Sequence, residues 1–126
     1  MSQQKTAIIV VNVGTPDSPA VTDVARYLKE FLGDKHVINL PYLVRKILVN
    51  GIIVPFRKKK SAALYQQIWT AQGSPLLVHS KSLVAKLQTK LGDNFIVRLA
   101  MSYQQPALKK VLDEVLLLHP DKIIIF

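Results

Sequence analysis

The sequence contains no cysteine, which excludes disulfide bonds, a thiolate nucleophile and cysteine-ligated zinc. Its most apolar stretch, residues 47–56, is interrupted by Asn50, Gly51 and Pro55. That stretch is far shorter than the roughly 20 apolar residues that a membrane-spanning helix needs. The first residues, 1–14, also lack the layout of a signal peptide. These absences favour a soluble protein, which we expect in the cytoplasm.

Carboxylates are missing from the middle of the chain. All eight acidic residues lie outside the segment from Lys35 to Gly92, whereas ten lysines and arginines lie inside it. The net charge is +9. Unpaired positive charge of this density attracts anions. The central segment is therefore expected to meet a nucleic acid, an anionic membrane surface, or a small molecule that carries carboxylates or phosphates.

The length and the apolar pattern predict one α/β domain over residues 1–126. Strands are predicted at 6–13, 94–101 and 122–126, all buried, with a further short strand possible at 36–40. Helices are predicted at 19–32, 41–49, 61–70, 75–91 and 106–118. This alternation predicts a parallel sheet with helices on both faces, as in flavodoxin-like and Rossmann-like three-layer folds. Ligands of such sheets bind beyond the carboxyl ends of the strands.

Finer expectations concern the helices. Ser18 is expected to cap the first helix, and Asn50-Gly51 to end the second. Leu64 and Ile68 are expected to face inward from the third helix. On the fourth helix, which Ser74-Pro75 caps, four leucines are expected to form an apolar stripe, namely Leu76, Leu83, Leu87 and Leu91.

Most familiar catalytic and binding motifs are absent. A single glycine, Gly14, follows the first strand, so neither the dinucleotide-binding pattern nor the P-loop pattern is present. The three histidines, His36, His79 and His119, are far apart in sequence and lack carboxylates at ligand spacing. We therefore assign no catalytic residue and no metal ligand. No signature of a nucleic-acid-binding module is found, and no nucleic-acid partner is expected.

The run Arg57–Lys60 has unusual neighbours. It follows an apolar stretch and precedes two aromatic residues, Tyr65 and Trp69. An apolar wall with a cationic border suits a flat apolar anion or a membrane interface better than a polyphosphate. Simpler interpretations stay open: the run as a solvated helix start, and the two rings as parts of the core.

Five stretches of the sequence resemble the N-terminal half of bacterial ferrochelatases: VNVGTPDSP, VARYLKEFLGD, VINLP, SAALYQQIWTAQGSPLLVHS and AMSYQQP. The resemblance implies a chelatase-like fold with two similar α/β halves around a porphyrin cleft. It implies the insertion of ferrous iron into protoporphyrin IX during haem synthesis. It also implies that the chain is truncated, and that the absent C-terminal half holds the catalytic histidine and glutamate.

The resemblance assigns porphyrin-contacting positions to six residues: Val13, Arg57, Lys60, Tyr65, Ser74 and Tyr103. Arg57 and Lys60 would hold the propionates of the flat apolar ring. Five residues would form the apolar lip of the cleft: Leu40, Tyr42, Leu43, Ile47 and Ile53. Two positions depart from the family pattern, since some relatives have a tyrosine at Val13 and many have an arginine at Ser102. Ser74 could act as a helix cap, as a ligand contact, or as both.

The expected substrates are protoporphyrin IX and ferrous iron, and no cofactor is expected in this chain. The resemblance leaves open whether the whole protein carries an iron–sulfur cluster. Expected partners are the missing C-terminal half and the inner face of the membrane, as a peripheral contact. Two alternatives stay open. One is a non-catalytic basic module for an anionic membrane or nucleic acid, and the other is a chelatase for cobalt or nickel.

Overall fold

The computed structural model describes residues 4–126, which form two compact units. Unit 1 holds residues 4–14 and 76–126, and unit 2 holds residues 15–75. In chain order the elements are β1 (Thr6–Gly14), α1 (Val21–Leu32), α2 (Tyr42–Leu48), a π-helical segment (Val49–Ile53), α3 (Val54–Ile68), α4 (Pro75–Leu91), β2 (Phe95–Tyr103), α5 (Leu108–Leu116) and β3 (Lys122–Ile125). A single domain over residues 1–126 stays a prediction.

Unit 1 is built on a parallel sheet with the strand order β2-β1-β3. One face of the sheet packs against α5 through a buried cluster: Ala7, Ile9, Ala100, Val111 and Val115. Asn12 of β1 alternates with Ile9 and so lies on the other face, where its Nδ2 donates to Ser80 Oγ of α4 at 3.3 Å. The predicted α/β fold, a parallel sheet flanked by helices, is confirmed.

The outer edge of β2 is covered by one side chain of α4. Gln88 Nε2 donates to the Phe95 carbonyl at 2.8 Å, and Gln88 Oε1 accepts from the Val97 N–H at 2.8 Å. The amide thus bonds the backbone groups that a neighbouring strand would otherwise bond. Covering an edge in this way protects a sheet against unwanted pairing.

The prediction that the last strand is buried is wrong. β3 pairs with β1 in parallel, but Ile125 is 59% exposed and Phe126 is 84% exposed. β3 is an edge strand of only four residues, and Ile123 is the one that is half-buried. Ile123 is the residue of β3 that packs against the α5 cluster.

Unit 2 is helical, and α1 packs against α3. Val24 and Tyr27 of α1 are buried, as are Val54 and Ala62 of α3. The Tyr27 ring meets the Tyr65 ring edge-on at 6.5 Å between centroids. These residues recur at helical spacing on the facing sides of the two helices, which explains why the pair assembles.

Several helix predictions for unit 2 are wrong. Residues 36–40 form turns rather than a strand, because the Asp34 carbonyl accepts from the N–H groups of Val37 and Ile38 at 3.0 Å. Ser18 does not cap α1, whose N-cap is Ala20; the Ser18 hydroxyl instead donates to the Asp23 carboxylate at 2.5 Å.

The second predicted helix does not end at Asn50-Gly51. It continues as the π-helical segment into α3, which begins seven residues earlier than predicted, at Val54 instead of Ser61. Pro55 lies in the first turn of α3, directly after the π-helical segment. A β-carbon at Gly51 would meet nothing within 4 Å, so this glycine neither forces a turn nor fills a tight contact.

Two helices, α3 and α4, also turn other side chains inward than predicted. Leu64 is 58% exposed and Ile68 is 55% exposed, so neither faces inward from α3. On α4 the buried residue is Ser80, whereas Leu83 of the predicted apolar stripe is 56% exposed. Helix α5 is shorter than predicted, because residues 117 and 118 form a turn.

Candidate functional site

The exposed side of α3 carries both predicted propionate anchors. Arg57 and Lys60 are exposed, whereas Val54 and Ala62 fill the buried side of the same helix. At 3.6 residues per turn, Arg57 shares a stripe with Leu64 and Ile68. An apolar surface therefore continues along the helix directly from the cationic run.

A groove of about 410 Å³ lies on this stripe. Its lining residues are Ser61, Leu64, Tyr65, Gln67 and Ile68. Arg57 precedes Ser61 by four residues, which is about 6 Å along a helix axis at 1.5 Å per residue. Lys60 directly precedes Ser61. The groove thus has apolar walls, three polar groups and two cations at its N-terminal end.

Tyr65 belongs both to the groove and to the aromatic packing of unit 2. Its ring contacts Tyr27 edge-on and also meets the Trp69 ring at 6.4 Å between centroids. Partial burial raises the pKa of the Tyr65 phenol above its ordinary value of 10.0. The phenol is therefore neutral at physiological pH, and its hydroxyl can donate or accept a hydrogen bond in the groove.

Ser74 lies in a buried pair of hydroxyl groups. It is 3% exposed, and its Oγ accepts a hydrogen bond of 2.7 Å from Thr15 Oγ1, itself 4% exposed. The preceding turn is held by two backbone hydrogen bonds between Thr70 and Gly73. The structure thus gives Ser74 a packing role within unit 2, and its contact with porphyrin stays a prediction.

The predicted apolar lip is exposed over most of its length. None of the seven residues of α2 is buried, and Tyr42, Leu43 and Ile47 are 64%, 70% and 68% exposed. Leu40, just before α2, is 37% exposed, and Ile53 is half-buried. Apolar side chains that stay in water over a whole helix indicate a surface that meets a ligand, a membrane or another protein.

Cations accompany this apolar lip. The Arg45 guanidinium and the Lys46 ammonium each lie 5.8 Å from the centre of the Tyr42 ring. Lip, groove, Arg57 and Lys60 all belong to unit 2. The lip and the groove each combine apolar side chains with nearby cations.

Two predicted residues belong to unit 1, where they lie at the carboxyl edge of the sheet. Val13 is near the end of β1 and is 48% exposed. Tyr103 ends β2 and pairs with Gly14 of β1. Gly14 has φ +128°, and a β-carbon built on it would stand 2.2 Å from the Tyr103 carbonyl oxygen. Only glycine lets these two strand ends approach so closely.

Asn12 holds Val13 in place. Its Oδ1 accepts from the Val13 N–H at 2.8 Å, while its Nδ2 donates to Ser80. The strand end that carries Val13 is thus tied to α4 by one amide. Ser102, the other departure from the family pattern, is exposed.

Four groove residues were not among the predicted site residues, namely Ser61, Leu64, Gln67 and Ile68. The prediction that α3 begins at Ser61 left out Val54, one of the two buried residues that show which side of the helix faces the core. Val54 and Ala62, eight residues apart, are both apolar and define the buried side. At 100° per residue, Leu64 lies about 160° from Ala62 but Ile68 lies only about 40° from Val54, so this spacing signalled the exposure of Leu64 and not that of Ile68.

Two kinds of feature, a metal-binding cluster and a membrane-spanning helix, are absent from the described residues, 4–126. No group of three or more histidine, aspartate or glutamate side chains in this range could hold a metal ion. Likewise, no helix in the range is long and apolar enough to cross a membrane.

Comparison with known proteins connects these features. The model of the ferrochelatase family matches residues 5–126. The chain is 48% identical over 111 residues to a ferrochelatase of Coxiella burnetii (strain RSA 493 / Nine Mile phase I), which covers 88% of this chain and 31% of that protein. It is 50% identical over 107 residues to a ferrochelatase of Legionella pneumophila (strain Paris), which covers 85% of this chain and 32% of that protein. The chain therefore spans about a third of the length of these curated relatives.

Proposed function

Because this chain belongs to the ferrochelatase family, we propose that it supplies a porphyrin-binding surface to an enzyme that inserts ferrous iron into protoporphyrin IX. The observation that carries the proposal is the exposed side of α3. There Arg57 and Lys60 stand at one end of a groove with apolar walls. Few ligands other than a flat apolar ring with carboxylates on one edge match such a surface along its whole length.

Each part of the surface has a proposed role. Leu64 and Ile68 contact the apolar ring, and the lip residues on α2 cover it. Arg57 and Lys60 hold the propionates, where the planar guanidinium of arginine can bind a carboxylate through two parallel hydrogen bonds. The neutral Tyr65 hydroxyl supplies a hydrogen bond within the groove. Val13 and Tyr103 keep the porphyrin-contacting roles that the resemblance assigns to them.

The reaction itself needs more than a binding surface. As ferrous iron enters the ring, the pyrrole N–H protons must leave, and a base close to the ring must accept them. Neither His79 nor His119 matches the position of the family's catalytic histidine. We therefore expect this chain alone to bind protoporphyrin without inserting iron, and its partner to be the C-terminal half of the enzyme. Iron insertion by the chain alone would contradict this division of roles. It would be measured as a loss of the fluorescence of free-base porphyrin.

The binding experiment uses Trp69, the single tryptophan of the chain. Protoporphyrin should quench its fluorescence, because Trp69 contacts the groove residue Tyr65. The double variant Arg57→Gln/Lys60→Gln should raise the Kd about 2- to 30-fold, if each exposed ion pair contributes about 0.2–1 kcal/mol. The matched control is Lys59→Gln/Lys81→Gln, which removes the same charge at exposed positions outside the groove. Equal weakening by the two double variants would contradict the assignment of the propionates to Arg57 and Lys60.

A second candidate function is peripheral contact with an anionic membrane. The observation that favours it is the apolar exposure of Leu43, Ile47 and Phe56, of which Phe56 is 80% exposed and directly precedes the cationic run. Apolar side chains bordered by cations are typical of helices that lie in a membrane interface. Leu43→Gln/Ile47→Gln should reduce sedimentation with anionic vesicles, whereas Leu83→Gln, an exposed leucine of α4, should not.

Binding experiments on the same chain also distinguish the remaining alternative functions. A basic module for nucleic acid would bind DNA with an affinity that falls steeply as salt rises, and it would not bind protoporphyrin. A chelatase for cobalt or nickel would bind porphyrin equally well and differ in the metal that the whole enzyme inserts.

A further inference from the structure

A single arginine side chain bonds both ends of the connection between α1 and α2. Residues 33–41 form turns, and the apolar side chains among them are exposed or half-buried. Arg45 of α2 reaches back over this connection. Its Nε donates to the Gly33 carbonyl at 2.8 Å, and its Nη1 donates to the Leu40 carbonyl at 2.7 Å. One planar group thus joins the end of α1 to the residue just before Pro41, where α2 is capped.

Burial cannot hold α2 in place. None of its side chains is buried, and the first buried residue after the connection is Val49, in the π-helical segment. Val49 fixes only the C-terminal end of α2. The N-terminal end, which carries Tyr42 and Leu43, is tied to the rest of unit 2 through the two hydrogen bonds of Arg45.

The positive charge of Arg45 also lies at the C-terminal end of α1. Gly33 is the C-cap of α1, and the carbonyl groups of a helix C-terminus carry partial negative charge. A guanidinium there stabilises the helix end and satisfies carbonyls that the helix leaves without a partner. A lysine would keep the charge but could not bond both carbonyls with one rigid, planar group.

We infer that Arg45 is a positioning residue, which holds the N-terminal end of α2 so that the apolar lip stands where porphyrin binds. This role rests on the proposed function. Arg45 acts here through the geometry of its guanidinium, and it does not act as a receptor for an anionic ligand.

The variants Arg45→Lys and Arg45→Met separate geometry from charge, and Lys81→Met, at an exposed position of α4 outside the lip and the groove, is the control for the loss of one positive charge. Hydrogen exchange of the Val37, Ile38 and Leu40 amides reports on the connection, and quenching of Trp69 reports on protoporphyrin binding. Both Arg45 variants should accelerate this exchange roughly tenfold or more, because the opened connection becomes more populated. Both should also raise the Kd about 3- to 10-fold and shift the Soret band of bound protoporphyrin towards its position in water. Lys81→Met should leave exchange and binding close to those of the unmodified chain.

Two results would overturn the inference. One concerns the geometry of Arg45, and the other concerns the proposed function. If Arg45→Lys kept slow exchange and full affinity while Arg45→Met lost both, charge and not geometry would be the property that matters. If the unmodified chain bound no protoporphyrin, the proposed function would fail and the positioning of a porphyrin lip would fail with it. Hydrogen exchange in the same variants would then still show whether Arg45 holds the connection.

Discussion

Replacing Gly14 by alanine tests how closely the ends of β1 and β2 must approach. The new β-carbon would stand 2.2 Å from the Tyr103 carbonyl oxygen, whereas ordinary contact begins at 3.4 Å. The Tyr103 backbone would therefore have to move by about 1 Å, in a pair of strands that are held in register. In addition, φ at position 14 is +128°, which an L-residue with a side chain rarely adopts.

Both effects lower the free energy of unfolding. The unusual backbone conformation costs about 1–3 kcal/mol for a residue other than glycine. Forcing an extra carbon into a filled space costs about 1–3 kcal/mol more. The lower entropy of the unfolded alanine chain offsets about 0.4–1 kcal/mol. We expect a net loss of about 3 kcal/mol, which corresponds to a fall in Tm of roughly 10 °C for a chain of this size.

Two other glycines separate the contributions in the same assay, thermal and urea unfolding followed by circular dichroism. Gly73 has φ +113° but open space around a built β-carbon, so Gly73→Ala should cost only the backbone term, about 1 kcal/mol. Gly51 lies in the π-helical segment with nothing within 4 Å, so Gly51→Ala should be neutral or stabilising. A Gly14→Ala variant no less stable than Gly73→Ala would refute the steric argument. If Tyr103 faces the porphyrin, Gly14→Ala should also weaken protoporphyrin binding.

Two further predictions concern single side chains. Because burial raises the pKa of Tyr65 above 10.0, the stability that depends on its neutral phenol is complete below pH 10.0 and is lost as pH rises through the raised pKa. Tyr65→Phe should therefore gain stability relative to the unmodified chain only in that alkaline range, as measured by urea unfolding at several pH values; a constant difference would contradict the shift. Gln88→Ala removes the hydrogen bonds that cover the edge of β2 and should cost about 1–3 kcal/mol. The neighbouring exposed Thr89→Ala should change stability by less than about 0.5 kcal/mol, and similar losses in both variants would show that the covered edge contributes nothing.

The sheet was predictable because its strands carry a strong local signal. Residues 6–13 and 94–101 are β-branched and apolar, and both segments are strands in the structure. Alternation with helices then implies a parallel sheet. The burial of β3 was not predictable from its composition, since Ile123 and Ile125 are the same residue type and only the first packs against the core. Contact with the α5 cluster decides which of the two is covered, and that contact is a property of the whole fold.

The sequence predicted a helix next to the cationic run, but it did not predict which side of that helix is buried. The cationic run beside aromatic residues pointed to α3, and the structure places Arg57 and Lys60 on its exposed side. Asn50, Gly51 and Pro55 gave a strong signal for a break, yet the chain passes through them as a π-helical turn. Local propensity fails here because Val49 and Val54, the buried residues on either side, are held by tertiary packing.

The cations of the acid-free segment, residues 35–92, differ in what they contact. Arg45 bonds two backbone carbonyls, and Lys58 lines a groove together with Thr22 and Arg26 of α1. Arg57 and Lys60, by contrast, stand in water at the end of an apolar groove. The number of cations therefore overstates the capacity of this surface for anions. Since a dicarboxylate needs only a few well-placed donors, whereas a polyanion gains from every exposed cation, this distribution favours a small planar ligand over nucleic acid.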